Sequence, residues 1–376
     1  MKILFSSAGS PATVFAIAPL ATAVRNAGHE VFVSANADMV PAITGVGLPA
    51  ISVTSRPLKD FVTKDRAGDP VPRPQDPTEE LQFVGRWFGR LAAESLEPLR
   101  ELSRHWRPDV VVGGSMSYVA GLLAASLGVP YVRQTIDTTE TTGIDPGAAA
   151  ELAPELADLG LSGLPDPDLL VDICPPSLRP PGAPAARPMR WTPGNRQSLL
   201  EPWMYTRGER KRVCVTMGSR VLLTHNVDFL AELAAAVGAL DVEVVVAAPD
   251  QAAERLRDVT GVRAGWVPLD VVARTCDLIV HHGGGVTSMT AMHAGVPQLI
   301  LPDSAYSAVP ARRIADLGAG LTVRLGEDTS DVITTACKEI LSDPAFGRNA
   351  AAIAAEIAAL PGPAAVAAEI GTLGAG

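Results

Sequence analysis

The sequence predicts an α/β protein built from two doubly wound domains, and three observations support this. The chain has 376 residues, more than one ordinary hydrophobic core holds. Strand-like and helix-like segments alternate in each half, and a proline-rich stretch separates the halves. Alternation with short loops implies parallel strands joined by right-handed crossovers, which is the doubly wound arrangement.

The first half opens with an apolar strand and an amphipathic helix that stops at Gly28. The predicted strands are 2–6, 30–35, 50–53, 109–113 and 130–135, and the predicted helices are 11–27, 39–47, 78–105 and 118–128. A polar, proline-rich stretch over 56–77 is too long for an ordinary connection. Such a loop is functional or disordered, and together with 138–167 we expect it to shape an acceptor pocket.

The second half repeats the alternation after the prolines. The predicted strands are 213–217, 242–247, 278–281 and 298–301, and the predicted helices are 227–240, 309–317 and 349–360, with a last helical stretch to 373. The expected organisation is a first domain over 1–195, a linker over about 175–205, a second domain over 206–360 and a C-terminal helix over 361–376 that returns to the first domain.

Charge and composition exclude several classes of partner. A net charge of −10 and a pI near 5.1 argue against binding to nucleic acid or anionic lipid. No apolar stretch reaches the roughly 18 residues of a membrane span, and the N-terminus does not resemble a signal peptide. The four cysteines form no CxxC pair, so we expect a cytoplasmic protein with reduced thiols. We expect the protein to be a monomer or a homodimer.

The most informative segment is the glycine-rich run His281–Ser288, which follows a short apolar strand and opens a helix. Such a turn lets backbone N–H groups approach an anion, and the helix N-terminus adds partial positive charge. His282, Thr287 and Ser288 add side-chain donors, so the run predicts a phosphate site. For an isolated turn of this kind the alternative, a tight turn with core-facing histidines, is the more frequent case.

Two further segments of the second domain are expected at the same sheet edge. Gly218, Ser219 and Arg220 follow a strand and would present an N–H, a hydroxyl and a guanidinium. Trp266 would lie flat on a nucleobase, although an indole is as often a core residue. Binding groups for a base, a sugar and a diphosphate in one domain predict a nucleotide-sugar site.

Several segments resemble GT-B glycosyltransferases of natural-product biosynthesis. The donor signature of that family matches residues 280–288 and 294–302, and its N-terminal pattern matches 18–21 and 27–31. Residues 9–15 and 201–205 resemble the angucycline D-olivosyltransferases of the urdamycin and landomycin type. The resemblance implies two Rossmann-like domains facing across a cleft. It also implies inverting transfer of the 2,6-dideoxyhexose D-olivose from dTDP to an aromatic polyketide, with no metal and no cofactor.

The same resemblance implies roles for individual residues. His282 would contact the diphosphate, with the helix N-terminus behind it, while Trp266 and the Val267 backbone would meet the thymine. Ser219 and Arg220 would touch the diphosphate or the ribose. The expected donor-binding set is Gly218, Ser219, Arg220, Trp266, Val267, His282, Gly284, Gly285, Val286, Thr287 and Ser288.

Two departures concern the donor. Val286 stands where the family commonly has a glycine, so the backbone of the turn is expected to differ slightly. Tyr306 and Ser307 replace an Asp-Gln pair that grasps sugar hydroxyls in the family. Losing these groups fits a sugar with fewer hydroxyls, since unmatched buried polar groups are costly.

The third departure concerns the acceptor. The general-base histidine of many relatives falls at Thr13, which cannot deprotonate an acceptor at neutral pH. Either the acceptor is an acidic phenol or another base acts, and Asp137 is our candidate. Its alternative is a turn or helix-capping aspartate. Ser10 would orient the acceptor or cap the first helix, and Thr13, Phe15 and Ile136 would bind the acceptor.

Two other functions stay open from the sequence. A non-catalytic glycosyltransferase partner protein fits the missing histidine, although the intact donor turn argues against it. An NAD-dependent oxidoreductase fits two doubly wound domains, but the first turn holds Gly9 alone and no GxGxxG set. For a transferase, the sequence leaves both C- and O-glycosidic products open.

Overall fold

A computed structural model describes residues 1–218, 227–256, 261–324 and 326–374. The chain forms two compact units. The first unit comprises Met1–Cys174, Pro180–Gly194 and Leu360–Gly376, and the second comprises Pro175–Arg179 and Asn195–Ala359.

The first unit is built on a parallel sheet of seven strands. These are β1 (Lys2–Ser6), β2 (Glu30–Ala35), β3 (Ala50–Ser52), β4 (Val110–Gly114), β5 (Tyr131–Gln134), β6 (Leu169–Asp172) and β7 (Arg187–Pro188). Their order is β3-β2-β1-β4-β5-β6-β7, and every neighbouring pair is parallel. The central strands β1 and β4 are almost fully buried, as expected for a parallel sheet covered on both faces.

Helices connect these strands. They are α1 (Pro11–Asn26), α2 (Val40–Gly45), α3 (Leu58–Thr63), α4 (Pro77–His105), α5 (Val119–Leu127), α6 (Asp145–Glu151) and α7 (Ala153–Asp158). The longest, α4, begins at Asp76, whose carboxylate accepts the N–H groups of Thr78 and Glu79. The stretch 56–77 therefore contains the short helix α3 and ends in the N-cap of α4.

The second unit repeats the plan with six parallel strands. They are β8 (Arg212–Thr216), β9 (Glu243–Ala247), β10 (Val262–Gly265), β11 (Leu278–His281), β12 (Gln298–Ile300) and β13 (Gly320–Thr322), in the order β10-β9-β8-β11-β12-β13. The helices are α8 (Pro202–Tyr205), α9 (Val227–Gly238), α10 (Asp250–Glu254), α11 (Leu269–Val272), α12 (Gly285–Ala294), α13 (Ala305–Asp316), α14 (Ser330–Ser342) and α15 (Pro344–Ala359). Apolar clusters cover the sheet.

Each sheet has one place where the chain reverses the direction in which it adds strands. In the first unit this switch lies between β1 and β4, and in the second between β8 and β11. The loops that leave the two strands of such a pair turn to opposite faces of the sheet. They open a crevice at the carboxyl ends, where ligands of doubly wound proteins bind.

The stretch expected to serve as a linker is divided between the units. Its residues 180–194 belong to the first unit and include β7, which pairs with β6 through Val171 and Arg187. The last helix, α16 (Pro363–Leu373), also belongs to the first unit and packs on α1. Arg187 forms a salt bridge with Glu369 of α16 at 2.5 Å.

One stretch, Pro344–Leu373, is long and apolar enough to cross a membrane by length and composition alone, with a mean hydropathy of 1.5. The helix is interrupted between Ala359 and Pro363. Its two parts, α15 and α16, pack on α12 and α1, each within its own unit.

Candidate active site

The loop after β11 is held by a buried histidine. His281 is fully buried, and its Nε2 lies 2.8 Å from Oε1 of Gln298 on the neighbouring strand. Its Nδ1 accepts the backbone N–H of Gly283 at 3.1 Å, so Nε2 carries the proton. Burial, with the neighbouring His282, lowers the pKa of His281 to about 3. The imidazole is therefore neutral and acts as a fixed connection between strand and turn.

His282 occupies a different position from His281. Its half-buried ring lies between two glycines on neighbouring turns, Gly218 after β8 and Gly284 before α12. A Cβ on Gly218 would lie 2.5 Å from Cε1 of His282, and a Cβ on Gly284 would lie 2.6 Å from its Nε2. Any larger residue would displace the imidazole. The structure thus brings two of the three expected donor segments together, whereas Ser219 and Arg220 lie outside the described residues.

The helix α12 begins at this turn. Gly284 is its N-cap, with φ −60° and ψ 127°, and the first helical bond runs from the Ser288 N–H to the Gly284 carbonyl at 3.0 Å. The N–H groups of Gly285, Val286 and Thr287 therefore have no helical acceptor. No acidic residue stands in the first turn to occupy them. Three backbone donors and the positive end of the helix dipole converge where the histidine ring lies.

Val286 lies in the first turn of α12. Val286 is the second residue of α12, where φ is helical for any amino acid, and it is not among the described residues with positive φ. The residue of this run that needs glycine conformationally is Gly283, with φ +85°. Thr287 is half-buried and Ser288 is buried, so the two hydroxyls differ in their access to a ligand.

Trp266 follows β10 and is half-buried. The guanidinium of Arg196 lies over its ring at 4.9 Å, and the indole N–H points to the Arg196 carbonyl at 3.4 Å. The side-chain amides of Asn195 and Gln197, on either side of Arg196, donate to the Asp270 carboxylate at 2.9 and 3.1 Å. The Arg196 guanidinium thus occupies one face of the indole, a contact that was not predicted from the sequence. The adjacent Val267 is buried.

The turn at Gly283 packs against Ser307, one of the two residues that replace the Asp-Gln pair of the family. Ser307 is buried, and its Cβ would lie 2.8 Å from a Cβ on Gly283. Asp303 Oδ1 accepts hydroxyl hydrogen bonds from Ser304 at 3.0 Å and from Ser307 at 3.2 Å. The Asp303 carboxylate therefore lies next to the turn. It is three residues before Tyr306, the position at which the family has its aspartate. Asp303 was not predicted from the sequence, although it lies three residues after the strand β12.

The turn after β1 is organised around Thr13. Its hydroxyl donates to the Ser10 carbonyl at 2.7 Å and lies 2.9 Å from the Ser7 hydroxyl. Since the Thr13 proton is used by the carbonyl, Ser7 is the donor in the second bond. Ser10 is the N-cap residue of α1, but its side chain forms no cap hydrogen bond. Thr13 thus stabilises the turn, and the Ser10 hydroxyl is not committed to capping.

Asp137 lies three residues after β5 and is buried, next to the buried Ile136. Its Oδ1 accepts the Thr139 backbone N–H at 2.7 Å, which forms an Asx turn. Asp137 therefore has the turn-forming role that the sequence analysis gave as the alternative, and this role uses its Oδ1. Phe15 is also buried, on α1.

The segment that carries Asp137 is fixed at its far end by an ion pair. Arg133 contacts both carboxylate oxygens of Asp145, at 2.8 and 3.0 Å, and donates to the Ser115 carbonyl at 2.6 Å. Tyr118 also donates to Asp145, at 2.8 Å, and burial with this carboxylate raises the pKa of its phenol. Tyr118 therefore stays protonated and is unsuited to act as a base.

The comparisons with known proteins decide the family. The N-terminal domain model of erythromycin biosynthesis protein CIII-like proteins matches residues 22–218, and the corresponding C-terminal domain model matches residues 231–373. The chain belongs to this glycosyltransferase family. It is an enzyme, a deoxysugar glycosyltransferase of antibiotic biosynthesis with the GT-B fold. Family membership removes the oxidoreductase alternative.

Relatives of this glycosyltransferase match over almost their full length. The L-demethylnoviosyl transferase of Streptomyces niveus is 34% identical over 98% of this chain and 97% of its own. The aclacinomycin-T 2-deoxy-L-fucose transferase of Streptomyces galilaeus is 28% identical over 96% and 94%. The glycosyltransferase SsfS6 of Streptomyces sp. SF2575, solved with thymidine diphosphate, is 35% identical with a TM-score of 0.89 over 99% of each chain.

The neutral state of His281 predicts an acid-sensitive second unit. Since its pKa falls from 6.5 to about 3 on folding, the unfolded state binds the proton first as the pH decreases. Its contribution to stability is therefore complete above pH 6.5 and is lost as the pH falls towards 3. His281→Gln should flatten the dependence of Tm on pH between 7 and 5, measured by thermal unfolding. His105→Gln, at an exposed position on α4, should keep the wild-type slope; a wild-type slope in His281→Gln would contradict the assignment.

Proposed function

We propose that this glycosyltransferase moves a 2,6-dideoxyhexose, D-olivose, from dTDP to a phenolic aromatic polyketide of the angucycline type. The reaction inverts the anomeric centre and uses no metal ion. The observation that carries the proposal is the packing of Ser307 against Gly283, at the place where the family has its sugar-binding Asp-Gln pair. A nucleotide-sugar site with a small residue there suits a sugar with few hydroxyls.

The choice of sugar follows from the cost of unmatched polar groups. A site built for a hydroxyl rejects a sugar that lacks it, because its buried partner is left without a hydrogen bond. Ser307 is buried and turns its hydroxyl to Asp303 and Ser304, so it makes its bonds within the protein. Asp303 remains as one carboxylate for one sugar hydroxyl. A relative named as a 2-deoxy-L-fucose transferase supports a 2-deoxy donor.

The departing dTDP needs positive potential in a protein with a net charge of −10. The N-terminus of α12 supplies about 0.3–2 kcal/mol, and one well-placed donor to a developing charge about 3–4 kcal/mol. His282 and the first N–H groups of α12 are such donors.

Asp137 is the proposed base. Its Oδ1 accepts the Thr139 N–H at 2.7 Å, which orients the carboxylate for proton transfer. A phenol ionises near pH 10 and reaches a reactive form with less assistance than an aliphatic alcohol. The activated phenol attacks the anomeric carbon through oxygen, or through its ortho or para carbon when the ring is turned over that centre. Ser10 would orient the acceptor, with Phe15, Thr13 and Ile136 around it.

The decisive assay is incubation of the purified protein, without a partner protein, with dTDP-olivose and an angucyclinone. A monoglycosylated product identified by mass spectrometry is expected. Treatment of that product with acid then distinguishes a C-glycoside, which survives, from an O-glycoside, which is cleaved. No product from dTDP-olivose, with product from another dTDP-sugar, would overturn the donor assignment. Activity that appears only with an added partner protein would identify a helper subunit.

His282→Ala should lower turnover by about two orders of magnitude, because a donor to the leaving diphosphate is lost. Steady-state kinetics and a thermal unfolding curve should show this loss with an intact fold. His105→Ala, which removes an exposed histidine, serves as the control and should retain wild-type turnover. Equal turnover of His282→Ala and wild type would remove His282 from the donor site.

Gly284→Ala tests the same contact without deleting the imidazole. The Gly284 backbone conformation is open to alanine, so the conflict lies with His282 Nε2, 2.6 Å from the new Cβ. Displacing the ring should weaken dTDP binding about tenfold, as measured by calorimetry. In a His282→Ala background the same substitution should cost little further affinity. Additive losses would show that the glycine acts independently of the ring.

Asp137→Asn should abolish transfer while dTDP still binds. The asparagine Oδ1 can still accept the Thr139 N–H, so the turn is retained and the base is lost. Acceptors whose phenols have a lower pKa should lose less activity, which a purely structural role of Asp137 would not produce. Normal turnover of the variant would remove Asp137 as the base.

A further inference from the structure

The segment 135–144 joins β5 to α6 and carries Asp137. Its first part is held by Ser115, a buried residue that directly follows β4. The Ile136 N–H donates to the Ser115 hydroxyl at 3.2 Å, one residue before Asp137. The backbone that enters the Asp137 turn is therefore held by a side chain from the end of the neighbouring strand.

The other end of the segment is closed by the carboxylate of Asp145, the first residue of α6. This carboxylate accepts two hydrogen bonds from Arg133, at 2.8 and 3.0 Å. It accepts one more from the Tyr118 hydroxyl and one from the Thr141 hydroxyl, each at 2.8 Å. Four donors thus engage the two oxygens, which uses their capacity to accept hydrogen bonds.

Arg133 connects the two ends of the segment. Its Nε and one terminal nitrogen donate to the Ser115 carbonyl, at 3.0 and 2.6 Å. The same terminal nitrogen donates to the Thr141 hydroxyl at 3.1 Å and to Asp145. The guanidinium therefore lies between Ser115, which holds Ile136, and Asp145, which ends the segment. Only a planar fork with several N–H groups can make these bonds at the same time.

Helix α6 gives Asp145 a firm support, because its backbone lies directly against that of α4. A Cβ on Gly85 of α4 would collide with the Ile144 carbonyl oxygen. A Cβ on Gly147 of α6 would collide with the Gln82 carbonyl oxygen. The two glycines thus permit contact between the helix backbones, with Asp145 in the turn between Ile144 and Gly147.

A largely buried ion pair is a costly way to close a loop. The Arg133 and Asp145 side chains are only 16% and 26% exposed, so both charges lose most of their water. Apolar side chains of similar volume often replace such a pair without loss of stability. What the pair adds is a single geometry, because bidentate charge-assisted hydrogen bonds are directional.

We propose that Arg133 and Asp145 are positioning residues that hold Asp137 in the orientation needed to take the acceptor proton. The inference rests on the proposed function, in which Asp137 is the base, and it adds the residues that act through that base. Arg133 fixes the Ser115 side of the segment and Asp145 fixes the α6 side. The Asx turn between Asp137 and Thr139 therefore forms in one place.

The first test is Arg133→Lys, which keeps a cation opposite Asp145 and removes the planar fork. In steady-state kinetics with dTDP-olivose and a phenolic angucyclinone, kcat should fall about tenfold to a hundredfold, because the base is misplaced. The dTDP affinity, measured by calorimetry, should equal that of the wild type. Acceptors whose phenols have a lower pKa should lose less activity, since they depend less on the base. An equal fractional loss on every acceptor would overturn the inference and assign Arg133 to structure alone.

Hydrogen exchange gives a readout that does not depend on activity. Peptides that cover 135–144 should exchange faster in Arg133→Lys, and also in Thr141→Val, which keeps the ion pair and removes the hydroxyl between its partners. Both variants should show a cooperative thermal unfolding curve and a reduced kcat. The matched control is Arg187→Lys, at the ion pair with Glu369 on α16, which should keep the wild-type kcat and the wild-type exchange of 135–144.

The inference and the proposed function fail in different ways. Wild-type kcat and exchange in Arg133→Lys, with an inactive Asp137→Asn, would overturn the inference and keep Asp137 as the base. Normal turnover of Asp137→Asn would remove the base, and with it the positioning role, even if 135–144 exchanges faster in Arg133→Lys. Transfer from another dTDP-sugar, with the predicted losses in Arg133→Lys, would keep the inference and overturn the proposed donor.

Discussion

The imidazole of His282 is held between two glycines that belong to turns on neighbouring strands, and the proposed donor site depends on this close approach. Gly218 and Gly284 each leave space that a single methyl group would fill. The ring therefore joins the end of β8 to the start of α12 at the switch point of the second sheet. The two glycine backbones leave room for the ring, and a side chain at either position would displace it.

The neighbouring His281 makes that geometry possible. It bonds Gln298 on one side and the Gly283 N–H on the other, and burial keeps it neutral. A charged histidine at this depth would add positive charge, but it would lose its acceptor nitrogen and release the turn. Positive potential instead comes from the N-terminus of α12, where no acidic residue competes. The proposed anion site of this acidic protein therefore needs no buried cation beneath it.

Long regular elements could be predicted from the sequence because their periodicity is strong. The strands around β1, β4 and β11 and the helices α1 and α4 fall within a few residues of the expected positions. β7 could not be predicted, because it has two residues, one of them a proline, and exists through pairing with β6. The start of α13 at Ala305, four residues before the expected one, was hidden by Pro310. Such elements are fixed by tertiary contacts and not by local pattern.

The candidate site shows the same division. The glycine-rich turn could be predicted from residue types, but the buried bonds of His281 to Gln298 and to the Gly283 N–H could not, because they depend on the pairing of β11 with β12. Arg196 contacts a tryptophan 70 residues away, a separation that no local pattern encodes.

The stack of Arg196 on Trp266 has a consequence for nucleotide affinity. A base that takes the same face of the indole must first displace the guanidinium, so its net gain is the difference between two stacking energies. A base that takes the opposite face keeps the cation and completes a three-layer stack. In the first case added salt, by weakening the cation–π contact, favours the nucleotide base, and in the second case it does not. For the nucleobase that the sequence predicts at Trp266, the two faces of the indole are therefore not equivalent.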